Sequence, residues 1–381
     1  MNILIIGGTG VLSSAVVAEA TRKGIEVTMV NRGKRVVPNG VSHIQADKRD
    51  LRKISEAIKS KSFDAVLDFL LQTPEDTKES VEFYTQYTKH YFFISSCAVY
   101  NTAAFMGQIG NEDSPKVLQE YAYSVNKWAC EQMVVKLFAE RNAHYTIIRP
   151  CTTYGDTRIP YGISPRFGFH WTLVARVLHD KPIITWNEGN NRSNLTRVED
   201  FAVGVVGLIG NPKAYNNAFN VCGDEQPKQS DVLESIALAV DHPVRKVDID
   251  ISFYANEIPH RKGELVAGCA IDCLNSNTKI KDAVPDFKPK YYLKEGVKMT
   301  IDAIRQQSYQ HGIDWKFDAE TDRTIRKWCT KKGIKMDRGA TSFKDYLGTA
   351  TLTDRIYYWC VYYRLEKYYN WINHLLKTVS R

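Results

Sequence analysis

Asn2-Ile3-Leu4-Ile5-Ile6-Gly7-Gly8-Thr9-Gly10-Val11-Leu12-Ser13, near the start of the chain, decides how the rest is read. Ile3 to Ile6 have the length and β-branched content of a buried strand. The run passes directly into four residues of which three are glycine, then into an apolar-periodic segment through Ala20 that reads as a helix. Strand, glycine turn and helix in that order form a phosphate site. Glycines let the backbone approach a pyrophosphate, and the helix start supplies free amides and a positive dipole end. Gly7, Gly8, Thr9, Gly10, Val11 and Leu12 are therefore the candidate cofactor residues. Against the dinucleotide fingerprint the spacing is Gly8-x-Gly10-x-x-Ser13, with serine where a third small residue allows helix and strand to pack.

Working outward, Glu26 to Val30 reads as a second strand that ends on Asn31-Arg32-Gly33-Lys34. An acidic residue at that end binds the ribose hydroxyls of NAD, whereas arginine accommodates the extra phosphate of NADP. Asn31 and Arg32, with Lys34 and Arg35 beside them, lean toward NADP(H) within an NAD(P) assignment. A third strand, His43 to Ala46, leads to Asp47, a candidate acceptor for the adenine amino group, and then to Asp50, which also suits a helix N-cap. Ala65 to Leu70 and Tyr91 to Ile94 are further strands, separated by a helix over Glu75 to Tyr87. Alternating strands and helices predict a doubly wound parallel sheet with its ligands at the carboxyl ends of the strands.

Composition limits the alternatives. The 381 residues have 44% hydrophobic and 25% charged content, ordinary for a globular protein. No apolar run approaches the roughly 18 to 20 residues that span a bilayer. The chain opens on a strand rather than a secretory signal, so a cytoplasmic protein is expected. Eight cysteines are scattered without a C-x-x-C spacing. They are read as buried free thiols, and no metal site is expected. The net charge of +8 is uneven, since Arg305 to Arg381 hold 15 basic and 8 acidic residues, seven of that surplus.

The chemistry lies on the next helix. Tyr121-Ala122-Tyr123-Ser124-Val125-Asn126-Lys127 opens a helical segment that runs to about Ala139. Four residues apart, Tyr123 and Lys127 share one helical face. An ammonium beside a phenol favours the phenolate and moves the tyrosine toward the working range of a general base.

With these residues in view, the chain resembles the extended short-chain dehydrogenase/reductase family of nucleotide-sugar epimerases, dehydratases and reductases. The resemblance covers roughly residues 1–304. It rests on the glycine turn, Asp47, the Ser95-Ser96-x-x-Val99-Tyr100 strand end and Tyr123-x-x-x-Lys127. It continues through Arg149-Pro150 with Tyr154-Gly155, Val198-Glu199-Asp200-Phe201-Ala202, and Phe287-Lys288-Pro289 with Leu293-Lys294-Glu295-Gly296. It implies that Tyr123 exchanges a proton with a sugar hydroxyl while hydride moves between sugar and nicotinamide. Lys127 would hold the nicotinamide ribose, and Ser96 would hydrogen-bond the reacting oxygen. Sugar 4,6-dehydratases carry an Asp-Glu pair after the residue matching Ser96. Here Cys97 and Ala98 lack those carboxylates, so dehydration is not expected. Thr152, where the family often has Asn, and Arg192 are candidate substrate contacts; for Arg192 an ordinary surface role is the competing reading.

The implied architecture is an α/β Rossmann-type sheet over residues 1–150, with strands returning from about 195–225. A smaller α/β substrate domain follows over 151–304, then a basic, aromatic-rich helical extension over 305–381. In the extension, Thr321 to Gly333 reads as helix, Arg338 to Thr353 as loop, and Ile356 to Leu376 as one aromatic-heavy helix. Three roles are open for that last helix: packing onto the substrate domain or a partner subunit, lying on an anionic membrane surface, or stacking on nucleic acid. Packing is the first expectation and nucleic acid the least. The reading is an epimerase of a nucleotide sugar, homodimeric by family habit, with an NADPH-dependent keto-reductase as alternative. A nucleotide-sensing or RNA-binding relative that has dropped catalysis is the rival of another class.

Overall fold

The structure is a computed structural model, and it describes residues 1–117, 121–307, 312–335 and 343–371. The chain forms two compact units. One comprises Met1–Gly155, Arg192–Pro227 and Ile271–Tyr292; the other comprises Asp156–Asn191, Lys228–Ala270 and Leu293–Arg381.

The first unit is built on a seven-stranded sheet. Its strands are β1 (Asn2–Ile6), β2 (Glu26–Asn31), β3 (Ser42–Gln45), β4 (Ala65–Asp68), β5 (His90–Ile94), β6 (His144–Pro150) and β10 (Asn217–Val221). Their spatial order is β10-β6-β5-β4-β1-β2-β3, and every pairing is parallel. β1 shows why its sequence is continuously apolar. Ile3 and Ile5 join the core on one face, with Val17, Phe92 and Phe201, while Leu4 and Ile6 join the core on the other, with Ile54, Val81 and Phe93. A strand covered on both faces has no polar side to alternate with. Each such side chain contributes on the order of 1.5–3 kcal/mol by leaving water.

The first face is covered by α1 (Val11–Arg22) packed on α6 (Val198–Gly207), and the second by α3 (Pro74–Tyr84) packed on α4 (Ala122–Phe138), with α2 (Leu51–Ile58) beside them. This is the doubly wound arrangement read from the alternation of elements. Two short strands of the same unit, β7 (Thr152–Tyr154) and β9 (Leu195–Arg197), pair in parallel.

In the second unit β8 (Ile183–Thr185) pairs in parallel with β11 (Lys246–Asp248). α7 (Gln229–Val240) packs on α5 (Trp171–Leu178) and on α10 (Leu293–Gln306). The C-terminal stretch belongs here. α11 (Trp315–Lys332) starts on Asp314, whose carboxylate caps the Phe317 amide, and stops at Gly333 in the left-handed region at φ 64°. It packs against α8 (Ile251–Glu257) and α13 (Leu352–Tyr362).

Two expectations for this stretch are corrected. Part of the expected loop, Arg338 to Thr353, is helical, with α12 over Phe343–Gly348 and α13 beginning at Leu352; positions 338–342 lie outside the described residues. A reciprocal capping box between Thr351 and Asp354 starts α13 earlier than the aromatic run suggests. The expected single helix from Ile356 is interrupted after Tyr362, where Arg364 takes φ 60°, and helix resumes over 366–371. With no glycine or proline at the break, the sequence carries no signal for it. Positions 372–376 of that expected helix lie outside the described residues.

The extension is held by charge as well as by rings. Arg176 on α5 is fully buried and bonds Asp318 and Asp322 of α11. Lys181 reaches the same two carboxylates at 2.7 and 2.6 Å. Tyr346 donates to Asp318 at 3.2 Å and Tyr358 to Asp322 at 2.6 Å. Among the described residues no helix is long and apolar enough to cross a membrane.

Candidate functional site

The glycine turn follows β1 as the sequence requires. Gly7 (φ 117°) and Gly8 (φ 84°) both lie where side chains are disfavoured. A Cβ on Gly8 would also stand 1.9 Å from the Met29 sulfur, so a side chain there would be strained and would have to displace Met29. Gly10 is the N-cap of α1, and its amide donates to Ser13 Oγ at 2.9 Å. Ser13 thus does more than provide a small packing contact, because it organises the first turn. That turn, carrying Val11 and Leu12, has no acidic side chain to compete for the dipole end, and Arg22 sits in the last turn. The cradle fits a pyrophosphate.

Asn31, at the end of β2, ties the turn to its neighbours. Its amide nitrogen donates to the Gly7 carbonyl at 3.1 Å, while its oxygen accepts from the Gly33 amide at 2.8 Å and lies 3.1 Å from His43 Nε2. Asn31 is therefore a structural tie between the glycine turn, the loop after β2 and β3. Arg32 is exposed, but it is Arg35 that reaches the turn, through a hydrogen bond to the Thr9 carbonyl. Sequence spacing alone favoured Arg32 because it is nearer the strand end. Asp47 is exposed and accepts from the Arg49 amide at 3.1 Å, and Asp50 caps α2 through the Lys53 amide.

β5 and α4 bring the second group together. Lys127 is 3% exposed, and its ammonium donates to the Leu71 carbonyl at 2.8 Å and the Ile94 carbonyl at 2.9 Å. Burial lowers it from 10.5 to about 8, the nearby Cys130, Asp68 and Glu131 offsetting part of that cost. One turn earlier Tyr123 is 37% exposed, and its ring centroid is 6.0 Å from Lys127 Nζ. The Tyr123 ring is therefore partly exposed, with the buried ammonium close to it. Ser96 lies two residues beyond Ile94, the residue that Lys127 grips. It is extended at φ −163°, and its Oγ accepts from the Ala98 amide at 3.1 Å, opening a 3-10 turn over Cys97–Val99.

Beside these groups lies a buried polar network that joins the motif residues Ser95, Tyr100 and Arg149 to Glu131 and Asn220, two residues the sequence reading did not single out. Arg149, on β6, grips Glu131 through Nε at 3.0 Å and Nη2 at 2.7 Å. Its Nη1 donates to Tyr100 Oη at 2.8 Å and to the Glu112 carbonyl at 3.0 Å. Glu131 also accepts from Ser95 Oγ at 2.6 Å, and Tyr100 Oη donates to Asn220 at 2.6 Å. Burial works against the Arg149 cation, but its Glu131 partner outweighs that and holds it above its ordinary range. The available signal was Glu131 itself, four residues past Lys127 on the face that packs inward.

The two candidate substrate contacts make no hydrogen bond to this cluster among the bonds described above. Thr152 is the first residue of β7. Arg192 is committed to Asp272, with its amide at 2.8 Å and its guanidinium at 3.0 Å.

Comparison with known proteins bears on the fold and the family. Over 239 residues the chain is 23% identical to a chloroplast stem-loop binding protein of 41 kDa from Arabidopsis thaliana, covering 59% of each chain. Over 227 residues it is 24% identical to a UDP-glucose 4-epimerase from Vibrio cholerae, covering 57% of this chain and 64% of that one. The chain thus spans about three fifths of the length of these curated relatives. Its fold is similar to that of a Thermus thermophilus UDP-glucose 4-epimerase solved with NAD, at TM-score 0.62 and 20% identity, covering 80% of this chain and 99% of that one. The model of the NAD dependent epimerase/dehydratase family matches residues 3–222, a span that includes the glycine turn, the Ser96 strand end and the Tyr123/Lys127 helix, and the chain belongs to that family.

Proposed function

We propose that the protein binds NAD(P) along the carboxyl edge of its sheet and epimerises a nucleotide-diphosphate sugar through a keto intermediate. The observation that carries this reading is the pairing of a partly exposed Tyr123 with a buried Lys127 that is held by the Leu71 carbonyl beyond β4 and by the Ile94 carbonyl at the strand end leading to Ser96. When bound, the nicotinamide would supply hydride acceptance and return.

The remaining steps are assigned to this chain's own groups. The Gly7–Gly10 turn and the first amides of α1 take the pyrophosphate. An ammonium has three donors, and Lys127 spends two on carbonyls; the third is assigned to a ribose hydroxyl. Tyr123 accepts a proton from the sugar hydroxyl and later gives it back, with the Lys127 charge stabilising the phenolate. Ser96 positions the reacting oxygen. Arg35 at the glycine turn, with Arg32 nearby, favours a cofactor carrying a 2′-phosphate. Homodimerisation through α3 and α4 and peripheral membrane contact through the extension remain proposals of the same reading.

The test is conversion of UDP-sugars followed by NMR, with nicotinamide absorbance recorded alongside. An epimerase interconverts the sugars without net NADPH consumption, whereas the keto-reductase alternative consumes it. Tyr123→Phe is expected to lower turnover by about 10²- to 10⁴-fold, the usual contribution of a positioned acid–base group, while cofactor binding persists. No turnover of any sugar by the wild-type chain would sink the reading.

A second reading is favoured by one observation, the likeness to a relative named for stem-loop binding. Under it the chain binds RNA without turnover. A gel shift with stem-loop RNA that Tyr123→Phe leaves unchanged, in a chain with no turnover, would select it.

A further inference from the structure

The cores of the site hold a thiol group that the proposed chemistry does not use. β5 and β6 run in parallel with Ile94 opposite Ile148, and Cys97 and Cys151 each stand three residues further on. Their sulfurs are 2.8 Å apart. On the far side of β6, Val221 of β10 pairs with Pro150, so Cys222 follows beside Cys151. Three neighbouring strand ends therefore present three cysteines at one level, with Cys151 in the middle. They differ in their partners. Cys222 donates to the Asn275 carbonyl at 3.4 Å and also lies against Cys151, whereas Cys97 lies against both the Arg149 carbonyl at 3.3 Å and Cys151. Among the described residues no group of three or more His, Cys, Asp or Glu side chains is disposed to hold a metal ion.

From this arrangement we propose that Cys97 and Cys151 are a redox modification site, closing reversibly to a disulfide that ties the Ser96 turn to the end of β6. A disulfide needs its sulfurs at about 2.05 Å, so the pair must close by less than about 1 Å. The oxidant is a small uncharged peroxide. Cys151 is half-buried and Cys97 only 2% exposed, so the first oxidation is assigned to Cys151. Its sulfur attacks one peroxide oxygen, the O–O bond breaks, and a sulfenic acid and one water result. Cys97 sulfur then attacks the sulfenic sulfur. The S–S bond forms, and the hydroxyl leaves as a second water with the Cys97 proton. Two thiols are oxidised and one peroxide is reduced to two waters. Burial raises both thiols above their ordinary range, which keeps the thiolate scarce and slows the attack on peroxide. Reduction by a dithiol reopens it.

The bond would replace the Cys97 contact with the Arg149 carbonyl and draw on the residue directly after Ser96. Displacements of this order at a reacting centre cost large factors in rate, and turnover is expected to fall at least tenfold. The crosslink itself stands on the sulfur geometry, while its effect on turnover rests on the epimerase reading.

The experiment treats the full-length protein with hydrogen peroxide, alkylates free thiols after unfolding, and maps the linked peptides by mass spectrometry. The expected result is a peptide joining Cys97 to Cys151, a loss of the mass of two hydrogens, and reversal by dithiothreitol. The link should be absent in Cys97→Ala and in Cys151→Ala and kept in Cys360→Ser. Quantitative alkylation of Cys97 and Cys151 after exposure that oxidises Cys360 would overturn the proposal. So would a link from Cys151 to Cys222, or a tightly held zinc ion whose removal is needed before peroxide acts. A wild-type map suffices to decide, even where a variant fails to fold. If the 97–151 link forms but neither form turns over a sugar, the epimerase reading falls and the modification site stands.

Discussion

Arg149 in the first unit and Arg176 in the second are both withdrawn from solvent onto carboxylates. Arg149 meets one acid, Glu131, in a bidentate grip, and that acid also takes the hydroxyl of Ser95, the residue before Ser96. Arg176 meets two, Asp318 and Asp322, and Lys181 brings a second cation to the same pair. Both clusters close their charge, one cation to one anion and two to two. They differ in what they hold. The first fixes side chains around a candidate reaction centre; the second fastens α11, part of the C-terminal extension, to the helix and loop that carry Arg176 and Lys181. The extension's own cations are engaged in the same way, with Arg323, Lys327 and Arg364 gathered on Glu257 at the end of α8. A basic surplus in sequence is thus in part an internal fastening.

The comparison is broken most directly by removing each arginine. Arg149→Met and Arg176→Met each strand a buried carboxylate, and each is expected to cost about 3–5 kcal/mol, as removal of one partner of a buried pair does. Peptide-resolved amide exchange is the measurement, because it reads the units separately; six of the seven tryptophans lie in the second unit and would dominate fluorescence. Restoring charge balance separates the two roles. Arg149→Met with Glu131→Met should recover at least half of the lost stability yet leave turnover depressed, since the Ser95 and Tyr100 contacts are gone. Arg176→Met with Asp318→Asn should recover stability and turnover together. Full turnover in the first double variant would show that Arg149 serves stability alone.

A smaller effect sharpens the comparison from the side of pH, because Lys127 is a buried cation with no carboxylate in hydrogen-bonding contact. Burial takes it to about 8, below the 10.5 of an ordinary lysine. Between these values the unfolded chain holds a proton that the folded chain has released. Stability therefore rises with pH across this window, at most by about 1.4 kcal/mol per pH unit. The difference between wild type and Lys127→Met, from urea titrations at pH 7.5 and pH 10, should grow in favour of the wild type. A flat difference would mean that the ammonium is solvated.

How far all this could be read from the sequence differs between the same two regions. The sheet was legible because β1 is buried on both faces and so spells a continuous apolar run, and because the turn after it takes Gly7 and Gly8 through positive φ. Tyr123 and Lys127 were legible because a four-residue spacing fixes their common face whatever surrounds them. Glu131 and Arg149 were harder, since their pairing depends on β6 lying beside β5, a contact between distant segments. In the extension, the break at Arg364 follows the fully buried Tyr358 and Val361, and local propensity gives no hint of it. The two-by-two charge cluster was invisible for the same reason, as its cations and anions lie more than a hundred residues apart.

The smallest expected effect tests how that cluster is shared. Tyr358 is fully buried and donates to Asp322 at 2.6 Å, while Asp322 keeps Arg176 at 2.9 Å and Lys181 at 2.6 Å. Hydrogen bonds to charged groups contribute about 1.5–3 kcal/mol. With two cations still in place, Tyr358→Phe should cost near the lower end, about 1.5 kcal/mol, and should leave the ring packing intact. The loss should appear as faster amide exchange in α11 and α13, with exchange in β1 and β5 unchanged and turnover preserved. A loss as large as that of Arg176→Met would make the phenol, rather than the cations, the fastening of the extension; no loss at all would assign Tyr358 to packing alone.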